Sequence, residues 1–534
     1  MQIKPTPLTD HDLRQMSDEW VSSLTPSQKE ELLVRALAEL RKSRDRLNQT
    51  PNNSSRPPSS RAPWESTRIE TDVVASTGTA PMTVDAVAAK GGDAPSPLPA
   101  PTTSPGKSGK SGKSGTRKAG KQVGAKGFGR TQKLAYTEQS AWHPDSCAGC
   151  GQPLSQDGAT AYTAWDAIDI ADKLAGQAGL LLRVTRHTLY TGSCSCGHVT
   201  RATHHVAPDD PLWDKVALGQ WRLIGPRLAG AIVFLALRMR LSRARIREFF
   251  IELFDLQLST GVLDETIREA GRAVAPLEDE MVLDIEQAVL LHADETPWKE
   301  SGQPFWLWVF VASHTTLFFI CSRGLEILSN VLTAKFAGNL MTDGYQAYRH
   351  LGRRLRCWAH LIRKCQGLID STDARVARAG KDMHEVLCTL MEAIYAARCA
   401  QGQPVGALAS MHATDIACLR TLCERHRDHG NDKLRALARE FLLDWDVILR
   451  QVSEPQLPLT NNAAEQALRH WVIARRISMG TRSEAGTRAF ALLASVIETC
   501  RKRTASSWTY IAGVIAAARR GLALPALPAI PVGV

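Results

Sequence analysis

The sequence predicts a multidomain α+β chain: a small cysteine-bearing module, a helical stretch, and an α/β layered domain interrupted by a long all-helical segment. Three observations carry that reading. Cys147 and Cys150 form C-x-x-C and Cys194 and Cys196 form C-x-C, two knuckle-like pairs suited to a small metal-held unit. From Ala288 the texture turns β-rich, with AVLLHAD, PFWLWVFVAS and TTLFFICS as successive apolar runs. From Gln366 to about Leu449 the pattern is helical throughout and rich in Ala, Leu and Arg.

In chain order, residues 1–50 read as an N-terminal amphipathic segment. Leu32, Leu33, Leu37, Leu40 and Leu47 recur at helix-compatible spacing between charges, a pattern fit for self-association. Residues 51–130 collapse to Pro, Ser, Thr, Ala, Gly and Lys and include GKSGKSGKSG. So little apolar surface cannot offset ordering entropy, and a disordered basic linker is expected. No acid occurs between Ala94 and Thr137, a stretch that holds Lys121, Lys126 and Arg130. These cations read either as loose phosphate contacts or as a solvated linker.

Residues 131–206 carry both cysteine pairs. Four thiolates would close a tetrahedral Zn²⁺ site with no open position, a structural ion; free core cysteines are the alternative. Residues 207–286 read as a helical domain. Within it RARIREFFIELFDLQLSTGVLDETIREAGRAV has helix-turn-helix spacing, with the turn at Leu258–Gly261. Asp264, Glu265 and Glu269 would face phosphates poorly, which favours a plain packed hairpin.

Residues 287–365 give the order β-β-β-α-β-α-β, residues 366–455 a helical insertion, and residues 456–515 a returning segment with a helix after LPLTNN, capped by Thr460 or an Asn. Residues 516–534 read as a tail. RRLRCWAHL reads as a strand, placing Trp358 and His360 near its end.

The chain of 534 residues is 44% hydrophobic and carries a formal charge of +11, compatible with a polyanionic partner. The polar opening MQIKPTPLTDHDLRQ does not read as a secretory signal. LAGAIVFLALRM is too short to span a bilayer and is flanked by Arg227, Arg238 and Arg240, so no membrane association is expected. Twelve cysteines in that setting read as thiols and metal ligands in a reducing cytosol.

Three acids stand out. Asp294 is expected at the C-terminal end of a buried strand, Asp343 at the end of another just before Gly344, and Glu465 on the first turns of the last helix. Acids at strand carboxyl ends converge in α/β sheets. Three carboxylates supply the hard oxygen ligands that two Mg²⁺ (or Mn²⁺) ions need for phosphoryl transfer. Each acid also has an ordinary reading: a turn or cap residue for the aspartates, and an i,i+4 pair with Arg469 for Glu465.

DETPW, MTDGYQAY, RCWAHLIRKC and LTNNAAEQALRHWVIARR, in that order, resemble the motifs around the three DDE acids of the insertion-sequence-66 transposase family. NNSSRPPSS, KQVGAKGFGR and HPDSCAGCGQPL extend the resemblance upstream. It covers nearly the whole chain outside residues 62–110 and the last residues. The resemblance implies an RNase H-like core interrupted between Asp343 and Glu465, an N-terminal zinc-binding domain, and accessory proteins encoded by the same element. The family's second cysteine pair is C-x-x-C, and the shorter C-x-C here leaves the fourth ligand open among Cys194, Cys196, His198, His204 and His205.

By position, His360 reads as a phosphate or water contact or as a satisfied core histidine. Arg469, Arg475, Arg476 and Lys364 read as phosphate-gripping residues or as a solvated basic face. The expected function is metal-dependent cleavage at element ends and transfer of the 3′-hydroxyls into target DNA. The expected partners are double-stranded DNA and a homodimer or higher oligomer in a bacterial, nucleoid-associated setting. An RNase H-like nuclease or resolvase that only hydrolyses, and a non-catalytic DNA-binding remnant, are the alternatives.

Overall fold

A computed structural model describes residues 18–47, 49, 134–172, 179–202, 224–324, 326–332, 335–399 and 407–531. The linker of residues 51–130, with Lys121, Lys126 and Arg130, lies outside the described residues, as do His204 and His205. The molecule is mixed α+β, with two mixed sheets and many helices. Among the described residues no helix is long and apolar enough to cross a membrane.

Helices α1 (Asp18–Ser23) and α2 (Pro26–Leu47) open the described chain. The predicted amphipathic helix is therefore present, and Leu33, Leu37 and Leu40 on it are exposed. The first sheet has β1 (Glu138–Trp142), β2 (Thr160–Ile170), β3 (Leu182–Ser193) and β4 (Val199–Arg201), with β3 between β1 and β2. One cysteine pair sits in the loop after β1 and the other in the turn between β3 and β4.

Helices α3 (Pro226–Val233), α4 (Arg243–Phe254), α5 (Thr260–Val274) and α6 (Leu277–Glu286) follow. The hairpin breaks at Asp255, a left-handed C-cap, and restarts at Ser259, whose hydroxyl accepts from the Val262 N–H at 3.2 Å. The suspect acids are all occupied: Asp264 takes Arg243 at 2.8 Å, Glu265 takes Arg272 at 2.7 Å, and Glu269 is held by Arg519 at 2.8 and 2.9 Å. Leu263, Ile267, Ala270 and Val274 of α5 are buried, so this helix is a packing element. These helices share one apolar core with the second sheet, so the expected separate helical domain is fused to the α/β layer.

The second sheet is built from β5 (Leu290–Glu300), β6 (Gln303–Val311), β7 (Thr316–Cys321), β8 (Asn339–Thr342) and β9 (Arg354–Arg356), in the order β7-β6-β5-β8-β9. The first three run antiparallel, while β8 and β9 run parallel to β5. Between β7 and β8 lies the short helix α7 (Glu326–Val331), and a 3₁₀ turn at Gln346–His350 replaces the second helix expected there. The β5–β6 hairpin turns on Ser301 and Gly302, with φ of 48° and 86°, the two positive values of a type I′ turn. Strand β5 therefore runs six residues past Asp294, which sits inside the strand and not at its end as predicted. Pro297 is tolerated because β8 pairs only with Leu290–His292, so that edge of β5 is open.

Helices α8 (Trp358–Ile369), α9 (Ala374–Cys399), α10 (Ala407–Met411), α11 (Ala413–His426), α12 (Asp432–Leu443) and α13 (Trp445–Ser453) form the insertion, with a core of its own that includes Met383, Leu387, Phe441 and Ile448. CWAH is thus a helix start and not a strand end: only Arg354–Arg356 find a ladder partner, in β8. The chain returns through α14 (Asn462–Ser478), the helix expected to be the last, but α15 (Glu484–Lys502) and α16 (Ser507–Arg520) follow it and pack their apolar faces into the shared core. Ser495 and Thr499 of α15 supply hydroxyls to the Phe318 and Thr316 N–H groups at 2.8 and 3.1 Å, closing the buried edge of β7. Helix α16 crosses the boundary expected for the tail and buries Arg519 against the Ile224 carbonyl.

Candidate functional site

Where β8 ends alongside β5, the sheet opens a gap that α14 covers. Asn461, fully buried at the start of α14, fills it. Its Nδ2 donates to the Ala293 carbonyl at 2.9 Å, just past the last β5 residue paired to β8. Its Oδ1 lies 3.2 Å from His292 Nδ1, and its N–H donates to Cys357 Sγ at 3.2 Å. One residue, through its side chain and its backbone N–H, thereby ties β5, α8 and α14 together.

A cavity of about 690 Å³ lies beside this knot. Asp294 from β5, Asp343 from the end of β8 and Glu465 from the first turn of α14 all line it, with His360, Arg469 and Arg476. Residues 171 positions apart are brought to one wall because the Glu465 helix begins at the Asn461 contacts. Asp343 Oδ1 accepts the Tyr345 N–H at 2.8 Å, and Asp294 Oδ1 accepts the Glu295 N–H at 2.9 Å. Burial, then the charges of Asp343, Glu295 and Glu465, push the Asp294 carboxyl well above the carboxylate range.

Several lining residues carried no sequence signal strong enough to single them out. Glu295, adjacent to Asp294, bonds Arg323 at 2.7 Å and accepts from Tyr348 Oη at 3.1 Å. Burial and then Asp343 push its carboxyl up to about 7, against the pull of Arg323. Arg323 is itself sandwiched, 4.1 Å from the Trp306 ring and 4.0 Å from that of Tyr345. Arg363, one turn beyond His360, reaches within 3.6 Å of Glu465 Oε1. Gly344 is required twice over: its φ of 147° is closed to most side chains, and a Cβ there would meet the Arg356 guanidinium.

His360 and Glu465 show an unmet need. His360 Nδ1 and Glu465 Oε1 are buried atoms without a hydrogen-bond partner, 3.8 Å apart. Burial, then Arg363, lowers the His360 pKa and keeps the ring neutral. Buried polar atoms left unpaired are costly, and in a cluster of carboxylates a cation is the group that satisfies them.

Two of the residues read as phosphate-gripping or as a solvated basic face do not line the cavity. Lys364 donates to both Glu440 oxygens at 2.8 Å, and Arg475 bonds the Thr296 hydroxyl at 3.0 Å and the Pro297 carbonyl. Both brace packed elements. The former joins a buried network in which Arg356 donates to Asp444 at 2.7 Å and Arg354 donates to Asp444 at 2.9 Å. That network anchors β9 to the insertion.

In the small sheet, Cys147, Cys150, Cys194 and Cys196 form one group. Cys147 Sγ lies 3.6 Å from Cys196 Sγ and Cys150 Sγ lies 3.5 Å from Cys194 Sγ. Tetrahedral Zn–S bonds of about 2.3 Å set sulfurs roughly 3.8 Å apart, so the four thiols fit a zinc ion with little movement. The C-x-C spacing is accommodated by the β3–β4 turn, and His198 instead rests against Gly149.

A family model described as "Transposase IS66 family" matches residues 222–489. Among curated proteins, the chain is 23% identical over 280 residues to the uncharacterized protein y4qI of Sinorhizobium fredii (strain NBRC 101917 / NGR234), covering 46% of this chain and 51% of that one. It is 30% identical over 174 residues to the uncharacterized protein y4jO of the same strain, covering 32% and 50%. The chain spans about half the length of the curated relatives it matches.

Proposed function

The chain belongs to the transposase IS66 family, and from that premise we propose that it cleaves element ends and transfers the 3′-hydroxyls into target DNA, using Asp294, Asp343 and Glu465. The observation that carries the proposal is the shared cavity wall of those three acids, drawn from β5, β8 and α14. The strand order, with three antiparallel strands followed by two parallel ones, supports an RNase H-like reading of the core.

Mg²⁺ or Mn²⁺, two ions in this reading, would be held by the three acids and would polarise the attacking and leaving oxygens of a phosphodiester. The Asp294 carboxyl, raised by burial and then by the charges of Asp343, Glu295 and Glu465, and a Glu465 Oε1 that makes no hydrogen bond fit such cations. The chain's own residues do the rest. Asn461 fixes where Glu465 stands relative to Asp294. Arg469 and Arg476, exposed on the same helix, face the cavity and neutralise phosphate charge. His360, neutral and with a free Nδ1 in the cavity, is placed to accept a proton from the attacking water or hydroxyl. The four cysteines hold a structural zinc, and their module, with the basic linker, contacts element-end DNA. The α2 stripe of Leu33, Leu37 and Leu40 pairs copies of the chain so that both ends are held together. Accessory proteins from the same element complete the assembly, in a bacterial nucleoid setting.

The test is a strand-transfer assay with purified protein, Mg²⁺ and a labelled element-end duplex, wild type against Asp294→Ala. Joined product from wild type and none from the variant is expected. Hydrolysis without joining would replace the proposal by a nuclease. Silence with accessory proteins present would leave a DNA-binding remnant.

A further inference from the structure

The tightest set of potential ligand atoms at the cavity is not made of oxygens alone. Cys357 Sγ, His360 and Glu465 each offer one ligand atom, all within 4.8 Å of one another. Cys357 precedes α8 and is fully buried, His360 is one turn on, and Glu465 faces them from α14. The three stand where Asn461 clamps the helices, and the Asn461 N–H already points at Cys357 Sγ, the arrangement that stabilises a metal-bound thiolate. His360 Nδ1 and Glu465 Oε1 are both buried and make no hydrogen bond, and Glu465 Oε1 has only the longer ion pair to Arg363 at 3.6 Å, which a bound cation would displace.

We propose that Cys357, His360 and Glu465 form a second soft-metal site, selective for Zn²⁺ or a similar thiophilic divalent ion, that shuts the cavity by capturing Glu465. One sulfur, one imidazole nitrogen and one carboxylate oxygen are a zinc donor set, whereas Mg²⁺ takes oxygen ligands alone. Three protein ligands leave the fourth position to water or a phosphate oxygen entering from the cavity. On binding, the Cys357 thiol releases its proton to solvent, and no redox step is involved. Closing the 3.8 Å gap between His360 Nδ1 and Glu465 Oε1 toward a common ion needs a movement of a few tenths of an ångström. The ligated oxygen is then withdrawn from Asp294 and Asp343. The regulatory consequence rests on the proposed role of Glu465, but the binding itself does not.

The experiment titrates full-length protein, its four-cysteine group already filled, with buffered Zn²⁺ and counts ions per chain by native mass spectrometry. Co²⁺ substitution and its thiolate charge-transfer absorption serve as an independent probe. Wild type is expected to take a second equivalent, with Cys357→Ser and His360→Gln each weakening it at least tenfold while far-ultraviolet circular dichroism stays unchanged. If Cys357→Ser does not fold, His360→Gln and the wild-type Co²⁺ spectrum still decide the matter. No second equivalent, or one that both variants keep, overturns the site. In parallel, Mg²⁺-dependent cleavage of an element-end duplex is followed as Zn²⁺ rises, and loss of activity in step with second-site filling is expected. A filled second site with undiminished cleavage overturns the switch. A filled site in a protein that never cleaves DNA upholds the site and removes the proposed catalytic role of Glu465 instead.

Discussion

Replacing Asn461 with alanine removes the clamp between β5 and α14 while leaving every acid in the sequence unchanged. The side chain makes two hydrogen bonds in a fully buried setting, to Ala293 and His292. Leaving a buried partner unpaired costs about 1–3 kcal/mol, and Ala293 is fully buried, so a loss of about 2 kcal/mol is expected. In a domain of this class that lowers the melting temperature by roughly 5 °C. The functional loss should be larger than the stability loss. Glu465 stands one helical turn from Asn461, and a misplacement of about 1 Å at a reacting centre costs roughly 100-fold in rate. The assay is single-turnover cleavage of a labelled element-end duplex well below the melting temperature, beside a thermal melt. Asn461→Ala should be folded, slightly less stable, and slower by about two orders of magnitude, with DNA binding retained. A variant that melts lower but cleaves within twofold of wild type would refute the idea that this residue sets the position of Glu465.

Other expectations follow from the same geometry. Gly344→Ala forces a side chain into a positive-φ position and against Arg356, so it should cost about 2–4 kcal/mol and displace Asp343, read as a lowered melt and lost metal response. For Glu295, the folded carboxyl at about 7 lies above its ordinary 4.5, so the native state binds the proton more tightly than the unfolded chain. In metal-free protein its contribution is complete below about pH 4.5 and is lost as pH rises through about 7, roughly 3 kcal/mol in all. Glu295→Gln should flatten that fall in a pH series of denaturant melts; an unchanged slope would assign it to other groups. Cys150→Ser should drop one zinc per chain and raise hydrogen exchange most at the cysteine-bearing end of β1–β4, packed on Trp165, Leu189 and Ala202, and least in β5–β9, because the other end of β2 and β3 (Ile168, Ile170 and Val184) is anchored in the core shared with the second sheet.

Much of the site was legible in the chain, and what was legible was chemical. Acids beside apolar runs, a cysteine pair next to a glycine, and a polar Asn-Asn before an amphipathic helix are short-range patterns, and short-range patterns survive folding. Asp294, Asp343 and Glu465 were marked by local pattern together with the family resemblance, and they line one cavity; the four cysteines were marked by their spacing, and their sulfurs form one group. The helix ends at Ser242, Ser259, Ser483 and Ser506 follow the same logic, since each hydroxyl accepts from an N–H three residues on.

The readings that shifted depend on partners far away in sequence. Asp294 moved from a strand end into a strand because β6 continues the ladder through Glu300. CWAH became a helix because β8 offers pairing only to Arg354–Arg356. Lys364 and Arg475, read from the chain as phosphate contacts or a solvated face, are held by Glu440 and by the Thr296 and Pro297 oxygens of β5. The helices before β5 lost their independence because their apolar faces found α15, α16 and the sheet. A residue type states which bonds it can make; which of them it makes is settled by what packing brings within reach. For Glu465 the groups within reach are Arg363 and His360 beside a buried thiol, a juxtaposition of α8 and α14 that no local pattern encodes.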